Sequence, residues 1–109
     1  TLKEQYEIFY EKVKNIINFL SSKNELIEWN IELGTKAAEI HHNSHTWCFC
    51  EFDNLIKRIN ESKEPFFLGD IFGYKAYQNN NLQSNEVIIK GINSKNEIYA
   101  GRFFVEFLF

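Results

Sequence analysis

At 109 residues, with 44% hydrophobic and 25% charged side chains, the chain has the size and composition of one globular domain, residues 1–109, and not of a disordered segment. Its net charge of −3 lacks the basic excess that a sequence-independent grip on nucleic acid requires. No apolar run approaches the roughly 20 residues of a membrane-spanning helix, and the charged, amphipathic amino terminus is not an export signal.

Aromatic residues make up 17% of the chain. Each buried ring removes roughly 150–250 Å² from water, so a small core can still be adequate. The two cysteines, Cys48 and Cys50, stand two residues apart. On a strand their Cα atoms would be about 6.5–7 Å apart, too far for relaxed disulfide geometry. A cysteine-poor domain with no staple and no leader is expected in the cytoplasm.

Taken in chain order, the pattern from Leu2 to Ser21 predicts a helix. Tyr6, Phe9, Tyr10, Val13, Ile16, Ile17 and Leu20 form an apolar stripe, with Glu4, Glu7, Glu11, Lys12 and Lys14 on the polar side. SSKN at 21–24 is a stop signal. Ile27, Trp29, Ile31 and Leu33 then alternate with Glu28, Asn30 and Glu32, which predicts a strand over 26–33 with the carboxylates outward. A helix from 25 to 42 is the alternative, because Trp29, Leu33, Ala37 and Ile40 also make a helical stripe.

TWCFCEF at 46–52 is apolar on both faces and predicts a central strand. Asp53 is placed to cap a short helix over 54–62, and Pro65 ends it. Phe66 to Gln78 predicts a strand with a bend or bulge near Gly69 or Gly73. NNNLQSN at 79–85 is a polar loop. Val87–Ile92 and Ile98–Leu108 predict a hairpin turned by NSKN. Over Glu97 to Phe109, Tyr99, Phe103, Val105, Phe107 and Phe109 share one parity and Arg102 and Glu106 the other. Alternation carried to the last residue predicts a strand ending in core material and a self-contained unit. The expected fold is α+β: an N-terminal helix packed on a curved antiparallel sheet of four or more strands, with a short middle helix and a C-terminal β-meander.

Three constellations could carry chemistry. His41, His42, His45, Cys48 and Cys50 are zinc-type donors, but C-x-C on a strand seldom closes on one ion and no second pair follows. The polar connection HHNSH and two small core thiols account for them, so no metal and no cofactor is expected. Asp70 lies in the apolar segment FFLGDIFG. With Glu86 or Glu106, or with a histidine, it could furnish a pocket carboxylate in a cone-shaped ligand-binding or hydrolase/isomerase-type domain; the plainer reading is an edge residue facing water. Glycines occur singly, without a phosphate-binding loop.

The third constellation is acidic and aromatic. Glu25, Glu28, Glu32 and Glu39 fall on or beside one element, with Asn30 between them, while Tyr74 and Tyr77 have opposite parities on one strand. With Asp70 these residues form a candidate partner-binding set, since tyrosine and carboxylate suit a cationic protein surface. Dimerisation through an edge strand, as in an adaptor subunit, is a further reading, and the oligomeric state stays open.

A small acidic α+β chain rich in Asn, Lys, Ile, Glu and Phe, in which a leading helix is followed by FDNLIKRINESKEPFFLGD and paired aromatic strands, resembles the immunity proteins of bacterial contact-dependent growth inhibition systems. The resemblance lies in the whole pattern and transfers no individual residue. It implies a non-enzymatic cytoplasmic protein whose partner is a cationic toxin domain, often a nuclease, and which blocks that toxin's active site or substrate path.

Overall fold

The computed structural model describes residues 2–43 and 52–106. Its elements run α1 (Leu2–Lys23), β1 (Leu26–Leu33), α2 (Thr35–Asn43), α3 (Phe52–Glu61), β2 (Phe66–Ile71), β3 (Tyr74–Gln78), β4 (Glu86–Asn93) and β5 (Ile98–Phe104). The class is α+β, as the sequence indicates. Between 25 and 42 the strand reading holds for 26–33, and the helical stripe survives only after Gly34, as α2. The strand expected over 46–52 lies outside the described residues except at Phe52, which opens α3. That helix therefore begins before Asp53, not after it.

The five strands form one open sheet in the order β2-β3-β1-β4-β5. It is mixed: β1 runs parallel to β3, and every other pair is antiparallel. This corrects the expected antiparallel meander. The segment Phe66–Gln78 divides into a hairpin, turned by Phe72 (φ 53°) and Gly73 (φ 82°). β4 and β5 form a second hairpin, and β1 is inserted between the two. The 79–85 loop allows this by crossing the end of β1. There Asn79 N–H donates to the Leu33 carbonyl at 2.8 Å, Gly34 N–H to Glu86 at 2.8 Å and Lys36 N–H to Ser84 at 2.7 Å. The strand with the most regular apolar set thus takes the centre, where burial is greatest.

The helices share one side of the sheet. Phe9, Val13, Ile17 and Leu20 of α1 pack onto Trp29, Ile31 and Leu33 of β1, Ala76 of β3, and Val87 and Ile89 of β4, with Ala37, Ala38, Ile40 and Ile59 of the other helices joining the same core. Ile16 sits on Gly101 of β5, where an added Cβ would stand 2.7 Å from its Cγ2, so the glycine lets α1 approach the strand closely. α3 is held at its C-terminal end. Asn80 Nδ2 donates to the carbonyls of Ile59 (3.0 Å), Asn60 (3.2 Å) and Ser62 (3.0 Å), and Gln78 Nε2 donates to Asn60 Oδ1 at 2.9 Å.

Candidate functional site

The opposite side of the sheet carries no helix among the described residues. Strand register sets its side chains in rows. One row runs Phe67, Tyr77, Glu32, Ile88, Arg102, and the next Asp70, Lys75, Asn30, Lys90, Ala100. A third holds Glu28, Ile92 and Ile98. Phe67 and Tyr77 meet edge to face with centroids 5.6 Å apart. Arg102 stands 5.7 Å from the Phe104 ring and 3.7 Å from Glu86.

Most charges on this face are locally matched. Glu32, nearly buried at the centre, pairs with Lys90 across β1 and β4 and accepts a 2.8 Å hydrogen bond from Asn79. Asn30, Glu32, Tyr77, Lys90 and Pro65 line a shallow cleft of ≈ 260 Å³ around that pair. Asp70 is opposite Lys75. The interior of the face is therefore nearly neutral, and a partner reaching it meets an ion pair already made.

One corner differs. β1 carries a bulge between Leu26 and Glu28. Leu26 and Trp29 both pack toward Gly91 on the helical side, so the two residues between them, Ile27 and Glu28, both turn outward. Ile27 is 70% exposed, and Ile98, beyond Ile92 in the same row, is 62% exposed. This corrects the strict alternation, which placed Ile27 in the core. Glu25, in the turn from α1, and Glu97, in the β4–β5 turn, flank these isoleucines at the same end of the sheet, and Lys23, the last residue of α1, and Lys95 stand at the same two turns. The corner is thus apolar at its centre and net negative at its rim.

The proposed partner-binding residues divide accordingly. Glu28, Asn30, Glu32, Asp70 and Tyr77 share the helix-free face, and Glu25 borders it. Tyr74 does not join them: it lies on the helical side with its ring 5.7 Å from Trp29. Glu39 is exposed on α2, in the helical layer. Sequence reasoning missed Ile27, Ile92, Ile98 and Glu97. The adjacent pair Leu26–Ile27 ahead of a strict alternation was the available signal of a bulge. The meeting of β1 with β5's end through β4 had no local signature.

The other constellations do not assemble. Asp70 is exposed on edge strand β2, with β3 and β1 lying between it and Glu86 on β4, and on the opposite side of the sheet from the α2 histidines. His41 and His42 are buried in the helical layer, while His45, Cys48 and Cys50 lie outside the described residues. Among the described residues no group of three His, Cys, Asp or Glu is placed to hold a metal ion, and no helix is long and apolar enough to cross a membrane.

Comparison with family models, curated proteins and solved structures finds no match to this chain.

Proposed function

We propose that this chain is a binding protein that docks a cationic protein partner on the helix-free face of its sheet, and that it acts as an immunity protein in the cytoplasm, neutralising a toxin domain by covering its active site or substrate path. The observation that carries the reading is the exposed Ile27–Ile98 corner rimmed by Glu25, Glu28 and Glu97. Large apolar side chains left in water on a folded surface favour association. A few such anchors supply most of an interface's affinity, and unmatched carboxylates beside them steer a positively charged partner and set its orientation. The neighbouring aromatic pair Phe67–Tyr77 and the cleft at Glu32–Lys90 extend the face toward the about 800 Å² per partner of a standard interface.

The test is co-expression with the carboxy-terminal domain encoded by the gene immediately upstream, followed by titration of the two purified proteins. The expected result is relief of growth arrest and a 1:1 stoichiometry per chain, with affinity that weakens as salt rises. Ile27→Asp should weaken binding about tenfold or more. Glu25→Lys combined with Glu28→Lys should slow association about tenfold with little change in dissociation. Glu32 is unsuited to this test because its removal would strand Lys90 and Asn79. Absence of binding to the upstream-encoded domain, or binding indifferent to all three substitutions, would overturn the proposal.

A further inference from the structure

Among the described residues the two edges of the sheet, β2 and β5, are unlike. β2 is blunted: Pro65 precedes it, Gly69 (φ 98°) bulges it, and Asp70 faces outward from it. Such devices keep an edge from pairing with another chain. β5 has neither the proline nor the bulge. Its seven residues, IYAGRFF, pair with β4 without a register shift and carry one charge, Arg102.

Hydrogen bonding fixes which backbone groups this edge offers. Val105 N–H donates to the Asn85 carbonyl at 2.8 Å and Asn93 N–H to the Glu97 carbonyl at 3.1 Å, so odd-numbered positions of β5 turn their backbone toward β4. Ile98, Ala100, Arg102 and Phe104 therefore direct N–H and C=O outward. These four positions are self-complementary. If a second β5 runs antiparallel about Gly101, Ile98 faces Phe104 of the other copy and Ala100 faces Arg102. Each facing pair can exchange two backbone bonds. No like charges meet, and the point on the two-fold axis is a glycine without a side chain to obstruct it.

A second observation falls on the same side of the molecule. Ile8, Lys12, Asn15 and Phe19 follow one flank of α1 at i, i+4, i+7 and i+11. Ile8 and Lys12 line a groove with Phe103 and Val105, which sets that flank over β5. Ile8 is 54% and Phe19 59% exposed, although each stands on the helix that forms the core. α1 packs over both β4 and β5. With strands about 4.8 Å apart, joining two β5 edges would bring the two α1 helices to roughly 10 Å, the spacing at which helices pack.

We propose that two copies of this chain join through their β5 edges, antiparallel about Gly101, into one continuous ten-stranded sheet, with the Ile8–Phe19 flanks of α1 packed against each other above it. The arrangement leaves Ile27 and Glu28 uncovered but sets Ile98 beside Phe104 of the other copy, so it shares that one residue with the toxin-binding corner.

Sedimentation equilibrium over micromolar to near-millimolar protein tests it. The wild-type chain should dimerise, and amide exchange at Ile98, Ala100, Arg102 and Phe104 should slow as concentration rises. Ala100→Pro removes an outward N–H without touching the β4 ladder, and it should weaken the dimer at least about tenfold. Ala100→Lys sets a like charge against Arg102 of the other copy twice over and should do the same, while Ala100→Glu should tighten association a few-fold. A chain monomeric at every concentration, or a dimer whose constant neither Ala100→Pro nor Ala100→Lys moves, overturns the proposal.

Discussion

Leu26 and Trp29 stand three residues apart on β1, yet both face Gly91 on the helical side of the sheet. In a regular strand residues at odd separation point to opposite faces. The bulge at Ile27 reconciles the two, and it also turns an isoleucine and a glutamate outward together at one corner of the exposed face.

Deleting Ile27 should therefore be tolerated. Without it Leu26, Glu28 and Trp29 fall into plain alternation, with both apolar residues inward and the glutamate outward. The expected cost is below about 1.5 kcal/mol by urea unfolding, since no buried side chain is lost. Deleting Asn30 instead would put Trp29 and Ile31 on opposite faces, and that chain should not reach a cooperative fold. Equal tolerance of the two deletions would refute the bulge.

Gly34, between β1 and α2, is a matter of space. A Cβ there would stand 1.9 Å from the Gln83 carbonyl oxygen and 2.8 Å from that of Ser84, both backbone atoms of the loop that crosses the end of β1. Gly34→Ala must displace the loop and the bonds that Gly34, Lys36 and Ala37 donate to Glu86 and Ser84. The expected loss is about 3 kcal/mol or more. Gly69→Ala meets nothing within 4 Å and bears only the penalty of its positive φ, about 1–2 kcal/mol. Chemical denaturation of both variants should rank them in that order.

Asn80 ties α3 to the sheet through a single amide group. Its Nδ2 serves three carbonyls at the end of the helix, and its Oδ1 accepts from Gln78 Nε2 at 2.8 Å. Asn80→Ala should cost about 1–2 kcal/mol. Asn80→Asp should cost more, although it keeps the acceptor for Gln78, because a carboxylate then faces the negative end of a helix and three carbonyl oxygens. Hydrogen exchange over 55–61 should quicken in both variants before the α1 amides respond.

Much of this fold was legible from periodicity alone. The stripe Phe9, Val13, Ile17, Leu20 announces a helix with one buried flank, and Trp29, Ile31, Leu33 announce a strand with one buried face. The turn residues at 79–85 and 93–96 mark real loops, the second shifted by one residue to 94–97. Those are local properties, fixed by the 3.6- and 2-residue repeats of side-chain direction. Of the candidate site, Glu28, Asn30 and Glu32 were legible as one outward row for the same reason, and Tyr74 and Tyr77 as a pair facing opposite ways.

Partnership between distant segments is a different matter. Nothing in the residues of β3 or β4 says that β1 will separate them, or that β1 and β3 will run parallel. That choice depends on which apolar strand gains most from the centre and on the length of the loop passing over its end. Nor does any local pattern show that Lys90 will neutralise Glu32, leaving Glu25, Glu28 and Glu97 as the acids around exposed isoleucines. The sequence by itself determined which faces are apolar and where the chain turns, because side-chain direction follows from backbone geometry within a few residues. Tertiary structure alone decided which charges are spent on one another and which remain for a partner, because charge pairing depends on distance in space across strands remote in the chain.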